Sequence, residues 1–175
     1  MNRKNVLIIS GKDQKLTGDI RHFLRTIGLR PVEPQGRFPR GVSDPHEALQ
    51  TAINASCAIV VVLTGEDEAR LLQQWYISDD DKEDELKSYP QPRLNVLFGA
   101  GFAFAKRPSR NKTILVKRGR VRLCRYFEGH RFLVELDDSF EQRYSFIKML
   151  RGVGCAVDLS SNEWLDVGDF SDPEG

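Results

Sequence analysis

Residues 57–63 read Cys-Ala-Ile-Val-Val-Val-Leu, and this run decides the fold. Its apolar side chains are continuous and mostly β-branched, which is typical of a strand buried on both faces of a parallel sheet. Thr64 and Gly65 then interrupt the run. We therefore predict that residues 57–63 form the central strand of the sheet.

Strand-like and helix-like segments alternate on both sides of this run. Pro31 places one short strand at an edge of the sheet because proline lacks the N–H that a ladder needs. Gly28 is expected to end the first helix, and Ser43 or Asp44 to cap the second. The other predicted strands are residues 5–10, 30–33, 113–116 and 132–134, and the other predicted helices are residues 16–27, 93–106 and 140–150.

This alternation predicts an α/β fold. The expected architecture is a flavodoxin-like three-layer sandwich of about five mostly parallel strands with helices on both faces. We expect one domain over residues 1–160 and an acidic, loosely ordered tail over residues 161–175. Residues 66–92 break the rhythm with a short helical stretch at 69–75 and an acidic run at 79–85, and so suggest a functional loop.

The charge is balanced in total but segregated along the chain. The 26 Lys and Arg residues against 25 Asp and Glu give a net charge of +1. Residues 66–85 nevertheless hold nine acids and two bases, whereas residues 106–125 hold nine bases and no acid. Blocks of this kind can steer association, so we consider self-assembly between copies of the chain. No apolar run is long enough for a membrane span or a signal peptide, so we expect a cytoplasmic protein without a membrane partner.

In a parallel sheet of this type, ligands bind beyond the carboxyl ends of the strands. The first loop there is Ser10-Gly11-Lys12-Asp13, whose hydroxyl, cation and backbone suit phosphate and ribose. The alternative is an ordinary turn in which Asp13 caps a helix.

The second loop, residues 34–42, carries Arg37 and Arg40 around Phe38. Guanidinium groups can clamp phosphates, and an aromatic ring can stack on a base. The alternative is a solvated loop with scattered charge.

The third place is the helix after Pro92, which we expect to be buried because it is apolar nearly all round. Gly99 and Gly101 inside it indicate a close approach to a neighbouring element or ligand, since each costs about 1 kcal/mol relative to alanine. Phe104 rules against a dinucleotide-binding GxGxxG motif. His22, His46 and His130 have no metal or catalytic spacing, so no metal is predicted. The three cysteines, Cys57, Cys124 and Cys155, are expected to be reduced and mostly buried.

Several segments together resemble bacterial TIR-like domains, which are often called predicted nucleotide-binding proteins and occur as effectors in cyclic-nucleotide antiphage systems. They are VLIISGKDQKL, IGLRPVE, HEALQTAINASCAIVVVLT, PRLNVLFGAGFAFAK and KTILVKRG, in this order between residues 5 and 158. The resemblance implies a nucleotide pocket formed by the first loop, the loop before the second helix and the helix after Pro92. It assigns nucleotide binding to Ser10, Gly11, Lys12, Asp13, Arg93, Asn95 and Gly99, to which the second loop adds Arg37, Phe38 and Arg40.

Active members of this family cleave the nicotinamide–ribose bond of NAD⁺ with a glutamate at the position of Gly99. Glycine cannot stabilise the oxocarbenium character of that reaction. We therefore expect NAD or a related nucleotide as ligand or substrate, no permanently bound cofactor, and weakened or lost hydrolysis. The alternatives are an active NAD⁺ nucleosidase using a carboxylate from another segment or subunit, with Glu47 and residues 66–68 as candidates, and a TIR–TIR self-assembly module.

Nucleic-acid binding through Arg118, Arg120, Arg122 and Arg125 is the weakest alternative. The four cations provide the charge, but the sequence lacks an aromatic platform and a known nucleic-acid motif. We expect the alternating arginines at 118, 120 and 122 to line an exposed face instead.

Overall fold

The computed structural model describes residues 2–32, 44–75, 87–106 and 112–171. Two segments singled out in the sequence lie outside these residues. They are the second loop at residues 34–42, called the arginine loop below, and the acidic run at residues 79–85. The elements are β1 (Asn5–Ile9), α1 (Gln14–Thr26), β2 (Arg30–Val32), α2 (Pro45–Ala55), β3 (Ala58–Leu63), β4 (Asp67–Ala69), β5 (Tyr89–Gln91), α3 (Leu94–Lys106), β6 (Thr113–Lys117), β7 (Leu133–Glu135) and α4 (Phe140–Gly152).

The main sheet has the strand order β2-β1-β3-β6-β7, and all of its pairs are parallel. This is the flavodoxin-like order, so the predicted α/β fold is confirmed. β3 lies at the centre with all six residues buried, and β2 lies at an edge, as Pro31 predicted.

Each central strand is apolar on both faces because the sheet is packed between two helical layers. On one face Val60 and Val62 join a core formed with α1 and α4. On the other face Ile59, Val61 and Leu63 join a core formed with α2 and α3. Successive side chains of a strand point to opposite faces, so the continuous run at 58–63 supplies both cores.

The helix ends agree with the capping residues of the sequence. The side chain of Asp44 accepts a hydrogen bond from the N–H of His46 at 2.8 Å, with Pro45 in the first turn of α2. Gly28 follows α1 with a φ of +75°, a conformation that side-chain-bearing residues rarely adopt.

The connection after β3 differs from its prediction. The helical stretch expected at 69–75 is wrong, because Asp67–Ala69 pairs antiparallel with Tyr89–Gln91 and only Gln73–Trp75 form a short 3₁₀ turn. Leu72 and Trp75 are 58% and 62% exposed, so this stretch packs no apolar face that would stabilise a helix.

The acidic C-terminal segment is packed as far as the structure describes it. Trp164 and Phe170 are buried, and the buried guanidinium of Arg143 donates a hydrogen bond to the carbonyl of Val167 at 2.6 Å. Residues 161–171 therefore differ from the loosely held tail that their acids suggested, since two aromatic side chains anchor them. Among the described helices, none has the length and apolar character needed to cross a bilayer.

Candidate functional site

The site predicted from the sequence lies where β1 and β3 end side by side. Ile9 pairs with Val61 across these two strands, so the loops that follow them meet at the same edge of the sheet. β1 has β2 on its other side, and the helices α1 and α2 pack on opposite faces. A doubly wound sheet opens its ligand crevice at this kind of position.

Glu66 reaches from the loop after β3 into the loop after β1. Its carboxylate accepts hydrogen bonds from the backbone N–H groups of Lys12 at 2.5 Å and Asp13 at 3.3 Å. The hydroxyl of Thr64, which is 8% exposed, donates to the same carboxylate at 2.8 Å. The two backbone N–H groups belong to the first loop, which the sequence assigned to phosphate and ribose, and a carboxylate of the protein itself holds them.

Gly11 makes this approach possible. A Cβ atom at position 11 would lie 2.3 Å from both carboxylate oxygens of Glu66, which is shorter than any non-bonded contact allows. The absence of a side chain at Gly11 therefore allows Glu66 to approach the backbone of the first loop.

Asp13 combines the helix-capping role with an ion pair. One carboxylate oxygen accepts from the N–H of Leu16 at 2.9 Å, as an N-cap residue does. The other oxygen binds the guanidinium of Arg118, whose side chain is only 9% exposed. The structure thus shows the alternative reading of Asp13, a capping residue, and both of its oxygens have protein partners.

The arginines after β6 do not all line an exposed face, which corrects the sequence expectation. Arg118 is buried because it crosses to Asp13, whereas Arg120 and Arg122 are exposed. The guanidinium of Arg120 stacks over the ring of Tyr89 in β5, 4.9 Å from its centroid. Arg118 thus pairs with the half-buried carboxylate of Asp13, whereas Arg120 stacks on an aromatic ring at the surface.

Gly99 lies inside α3 with its α-carbon facing β1. A Cβ atom there would be 3.0 Å from Cγ2 and 3.4 Å from Cδ1 of Ile9, the last residue of β1. Position 99 is therefore buried against the last residue of β1, which directly precedes the first loop in the chain. Among the described residues, no atom lies within 4 Å of a hypothetical Cβ at Gly101, so the structure shows a close approach to a neighbouring element at Gly99 but none at Gly101 in this part of the chain.

The remaining predicted residues occupy the surface around this centre. Arg93 precedes α3 and its Nε lies 3.8 Å from a carboxylate oxygen of Asp67 in β4. Asn95 and Lys12 are exposed, and Ser10 is half-buried at the end of β1. Arg37, Phe38 and Arg40 lie outside the described residues.

An aromatic cluster beside the site was not predicted. Phe98 stacks with Phe102 at a ring separation of 6.1 Å, and the ring of His46 lies 5.4 Å from Phe98. Phe98 is 53% and Leu94 is 71% exposed, so the expectation that α3 is buried all round is wrong. The sheet covers only one face of α3, and the i, i+4, i+8 spacing of Leu94, Phe98 and Phe102 was the available signal.

A cleft of about 320 Å³ lies farther along the same edge, at the carboxyl ends of β6 and β7. Its charged groups are largely paired, since Lys117 binds Glu135 at 2.7 Å and Arg118 binds Asp13. A ligand here would have to break those pairs, just as a phosphate at the β1–β3 end would have to displace Glu66 from the first loop. In the part of the chain that the structure describes, no group of three or more His, Cys, Asp or Glu side chains is placed to hold a metal ion.

The comparison with protein families agrees with this architecture. Residues 5–133 match the family described as CAP12/Pycsar effector protein, TIR domain. The matched range runs from β1 through the start of β7 and includes all the described site residues. No curated protein matches the chain.

Proposed function

The chain belongs to the TIR-domain family of CAP12/Pycsar effector proteins, and from this premise we propose that it is a defence domain that binds an NAD-type nucleotide. We further propose that its hydrolysis of NAD⁺ is weakened or lost. The ligand would bind at the carboxyl ends of β1 and β3. Lys12, Arg93 and Asn95 would surround it, together with the arginine loop at residues 34–42.

The observation that carries this proposal is the position of Gly99. Its α-carbon faces Ile9, next to the first loop, so a glutamate at this position would border the proposed pocket. The remaining residues of Leu94–Lys106 include no acid. Cleavage of the nicotinamide–ribose bond develops positive charge on the ribose, and loss of a group that stabilises such charge lowers rates by several powers of ten.

Two measurements on the purified chain test the proposal. Calorimetric titration with NAD⁺ and ADP-ribose should give saturable binding, whereas chromatography should show little nicotinamide released from NAD⁺. Rapid release at low protein concentration would contradict weakened hydrolysis. Absence of binding to either nucleotide would contradict the nucleotide-binding role itself.

Glu66 favours a second candidate, an active NAD⁺ nucleosidase. The carboxylate of Glu66 contacts the backbone of the first loop. Glu47, the other candidate, is exposed in the first turn of α2. A carboxylate on the first loop could stabilise the ribosyl cation in place of a residue at 99. This candidate requires nicotinamide release by the wild-type chain and its loss in Glu66→Gln, with NAD⁺ binding retained.

The exposed apolar residues of α3 favour a third candidate, self-assembly between TIR domains. Leu94 and Phe98 are large, exposed and four residues apart on one helix. If they mediate assembly, light scattering should show oligomers in the wild type and fewer in Phe98→Ser. A monomer at both low and high salt, with and without nucleotide, would exclude this candidate.

A further inference from the structure

Two buried thiols lie in contact at the amino end of the sheet, opposite the candidate site. The Sγ atoms of Cys57 and Cys155 are 2.9 Å apart, although the residues are separated by 98 positions in the chain. Their residues are 1% and 4% exposed, and both cysteines are free. A disulfide bond is about 2.05 Å long, so less than about 1 Å of movement separates this pair from a covalent bond.

The backbone on both sides holds the two sulfurs at this spacing. Cys57 directly precedes β3, and its N–H donates to the carbonyl of Asn5 at 2.8 Å. Ala156, the neighbour of Cys155, donates its N–H to the carbonyl of Arg3 at 2.9 Å. Both cysteine segments are therefore anchored to the same short stretch, residues 3–5, where β1 begins. A bond between the sulfurs requires side-chain adjustment, with the backbone already in place.

We propose that Cys57 and Cys155 are a redox-active pair that a peroxide converts into an intramolecular disulfide. The Cys57 thiolate attacks one peroxide oxygen, which gives a sulfenic acid at Cys57 and releases the other oxygen as water. The sulfur of Cys155 then attacks the sulfur of Cys57 and displaces the second water. Two thiols lose two electrons and two protons in total, and hydrogen peroxide is reduced to two molecules of water.

The roles of the two cysteines follow from their electrostatics. The hydrogen bond from the Cys155 thiol, supported by the charge of Lys112, lowers the pKa of Cys57 to about 7. The same interaction, together with burial, raises the pKa of Cys155. Cys57 is therefore the more acidic of the two thiols and the one that attacks the peroxide, and Cys155 keeps its proton until it resolves the sulfenic acid.

The disulfide would connect the start of β3 to the segment that closes the domain. That segment carries the buried Trp164 and Phe170 and reaches Ser171, whose carbonyl accepts a hydrogen bond from Arg118 at 3.5 Å. Closing so long a loop restricts the unfolded chain, which raises the stability of the oxidised form. We expect oxidation to raise the melting temperature by several degrees and a thiol reductant to reverse the change.

The Cys124→Ser variant provides the decisive test because Cys124 is exposed and is the third thiol of the chain. The full chain carrying this substitution is treated with hydrogen peroxide and mapped by mass spectrometry without reduction. The expected product has lost two hydrogen atoms and contains a linked peptide pair that includes residues 57 and 155. It should resist alkylation until it is reduced, and its melting temperature should rise.

Two results would overturn the proposal. One is complete alkylation of both thiols when the folded protein is treated with peroxide and then denatured and alkylated without reduction. The other is irreversible oxidation of Cys57 to the sulfinic acid with no linked peptide. Cys155→Ala supplies the matched control, since it retains Cys57 but should lose the linked peptide and the rise in melting temperature.

Discussion

The carboxylate of Glu66 occupies the space into which a side chain at position 11 would project. A Cβ atom at Gly11 would lie 2.3 Å from its oxygens, while the N–H of Lys12 donates to it at 2.5 Å. The first loop therefore contains an anion supplied by the protein at the start of α1. A nucleotide phosphate that uses the same donors must compete with Glu66.

Replacing Glu66 by glutamine should strengthen nucleotide binding. The amide oxygen can still accept from the loop, but the negative charge that repels a phosphate is removed. We expect the dissociation constant for ADP-ribose to fall by about tenfold, which corresponds to about 1.4 kcal/mol. Calorimetric titration measures this change, and ADP-ribose avoids any turnover during the experiment.

Glu68→Gln is the matched control because Glu68 is an exposed acid two residues away whose carboxylate accepts from Ser88. Its effect on the dissociation constant should be small. Equal tightening in both variants would indicate a general charge effect rather than competition at the first loop. Weaker binding in Glu66→Gln alone would mean that the carboxylate contributes to binding the ligand.

Substitution of Gly11 by alanine should displace Glu66 without unfolding the domain. The colliding atoms belong to the flexible end of a side chain, so the carboxylate can move away and leave its three donors. We expect the free energy of unfolding to fall by about 1–2 kcal/mol, measured by urea denaturation. A Cβ atom at Gly18 in α1 would meet no atom of the described residues within 4 Å, so Gly18→Ala should instead stabilise the chain by about 0.5–1 kcal/mol.

If Gly11→Ala and Gly18→Ala change the free energy of unfolding in the same way, the proposed contact between Glu66 and the first loop is contradicted. Gly11 and Gly18 are only seven residues apart. Gly11 precedes α1, and Gly18 lies within it. A stabilising effect of Gly11→Ala would show that Glu66 does not approach the loop in solution.

The order of the strands could be predicted from the sequence, but the contact between Glu66 and Gly11 was not. Continuous apolar runs identify β1 and β3 as inner strands, because only a strand covered on both faces needs them. Once these strands are neighbours, the loops after them must meet, and this placed residues 10–13 and Thr64 at one edge. Which acid of the following run turns into the first loop depends on the β4–β5 pairing, which the sequence did not indicate.

Exposure of α3 was mispredicted for a related physical reason. Val96, Ala100 and Ala103 pack against the sheet. Among the described residues, no further element covers the opposite face of α3. The other apolar side chains, Leu94 and Phe98, therefore remain exposed. Composition alone does not distinguish a buried helix from one that keeps an apolar outer face for a ligand or partner.

Gly99→Glu should restore part of the NAD⁺ nucleosidase reaction if the rest of the pocket is intact. The new Cβ needs Ile9 to shift by a few tenths of an ångström, which its side chain can accommodate at the end of β1. We expect nicotinamide release to rise about tenfold or more above the wild type. A companion variant, Gly99→Glu with Ile9→Ala, removes both contacting atoms and tests whether crowding limits the gain.

Gly101→Glu is the control for this experiment, because it adds the same charge to the same helix at an exposed position. It should give no nicotinamide release above the wild type. If both Gly99 variants bind NAD⁺ and neither gains activity, the pocket lacks more than a carboxylate.

Asp13→Asn should destabilise the domain although asparagine is also a good helix cap. The substitution keeps an oxygen for the N–H of Leu16 but removes the charge opposite the buried guanidinium of Arg118. We expect a loss of about 2 kcal/mol in the free energy of unfolding, because an uncompensated buried charge is costly. Urea denaturation at neutral pH measures it.

Glu135→Gln breaks the more exposed pair with Lys117 and serves as the comparison, with an expected loss below about 1 kcal/mol. Equal losses in Asp13→Asn and Glu135→Gln would argue against a buried ion pair between Asp13 and Arg118.

The C-terminal segment should contribute strongly to stability despite its acidic composition. Phe170 is fully buried, meets the ring of Phe23 edge-on at 5.8 Å and lies 4.7 Å below the guanidinium of Arg143. Phe170→Ala should therefore lower the free energy of unfolding by about 3–5 kcal/mol, as measured by chemical denaturation. Phe140→Ala is the matched control, since Phe140 is 54% exposed and should cost about 1 kcal/mol or less. If both substitutions cost the same small amount, residues 161–171 do not pack on the domain in solution, and Arg118 then loses its contact with Ser171.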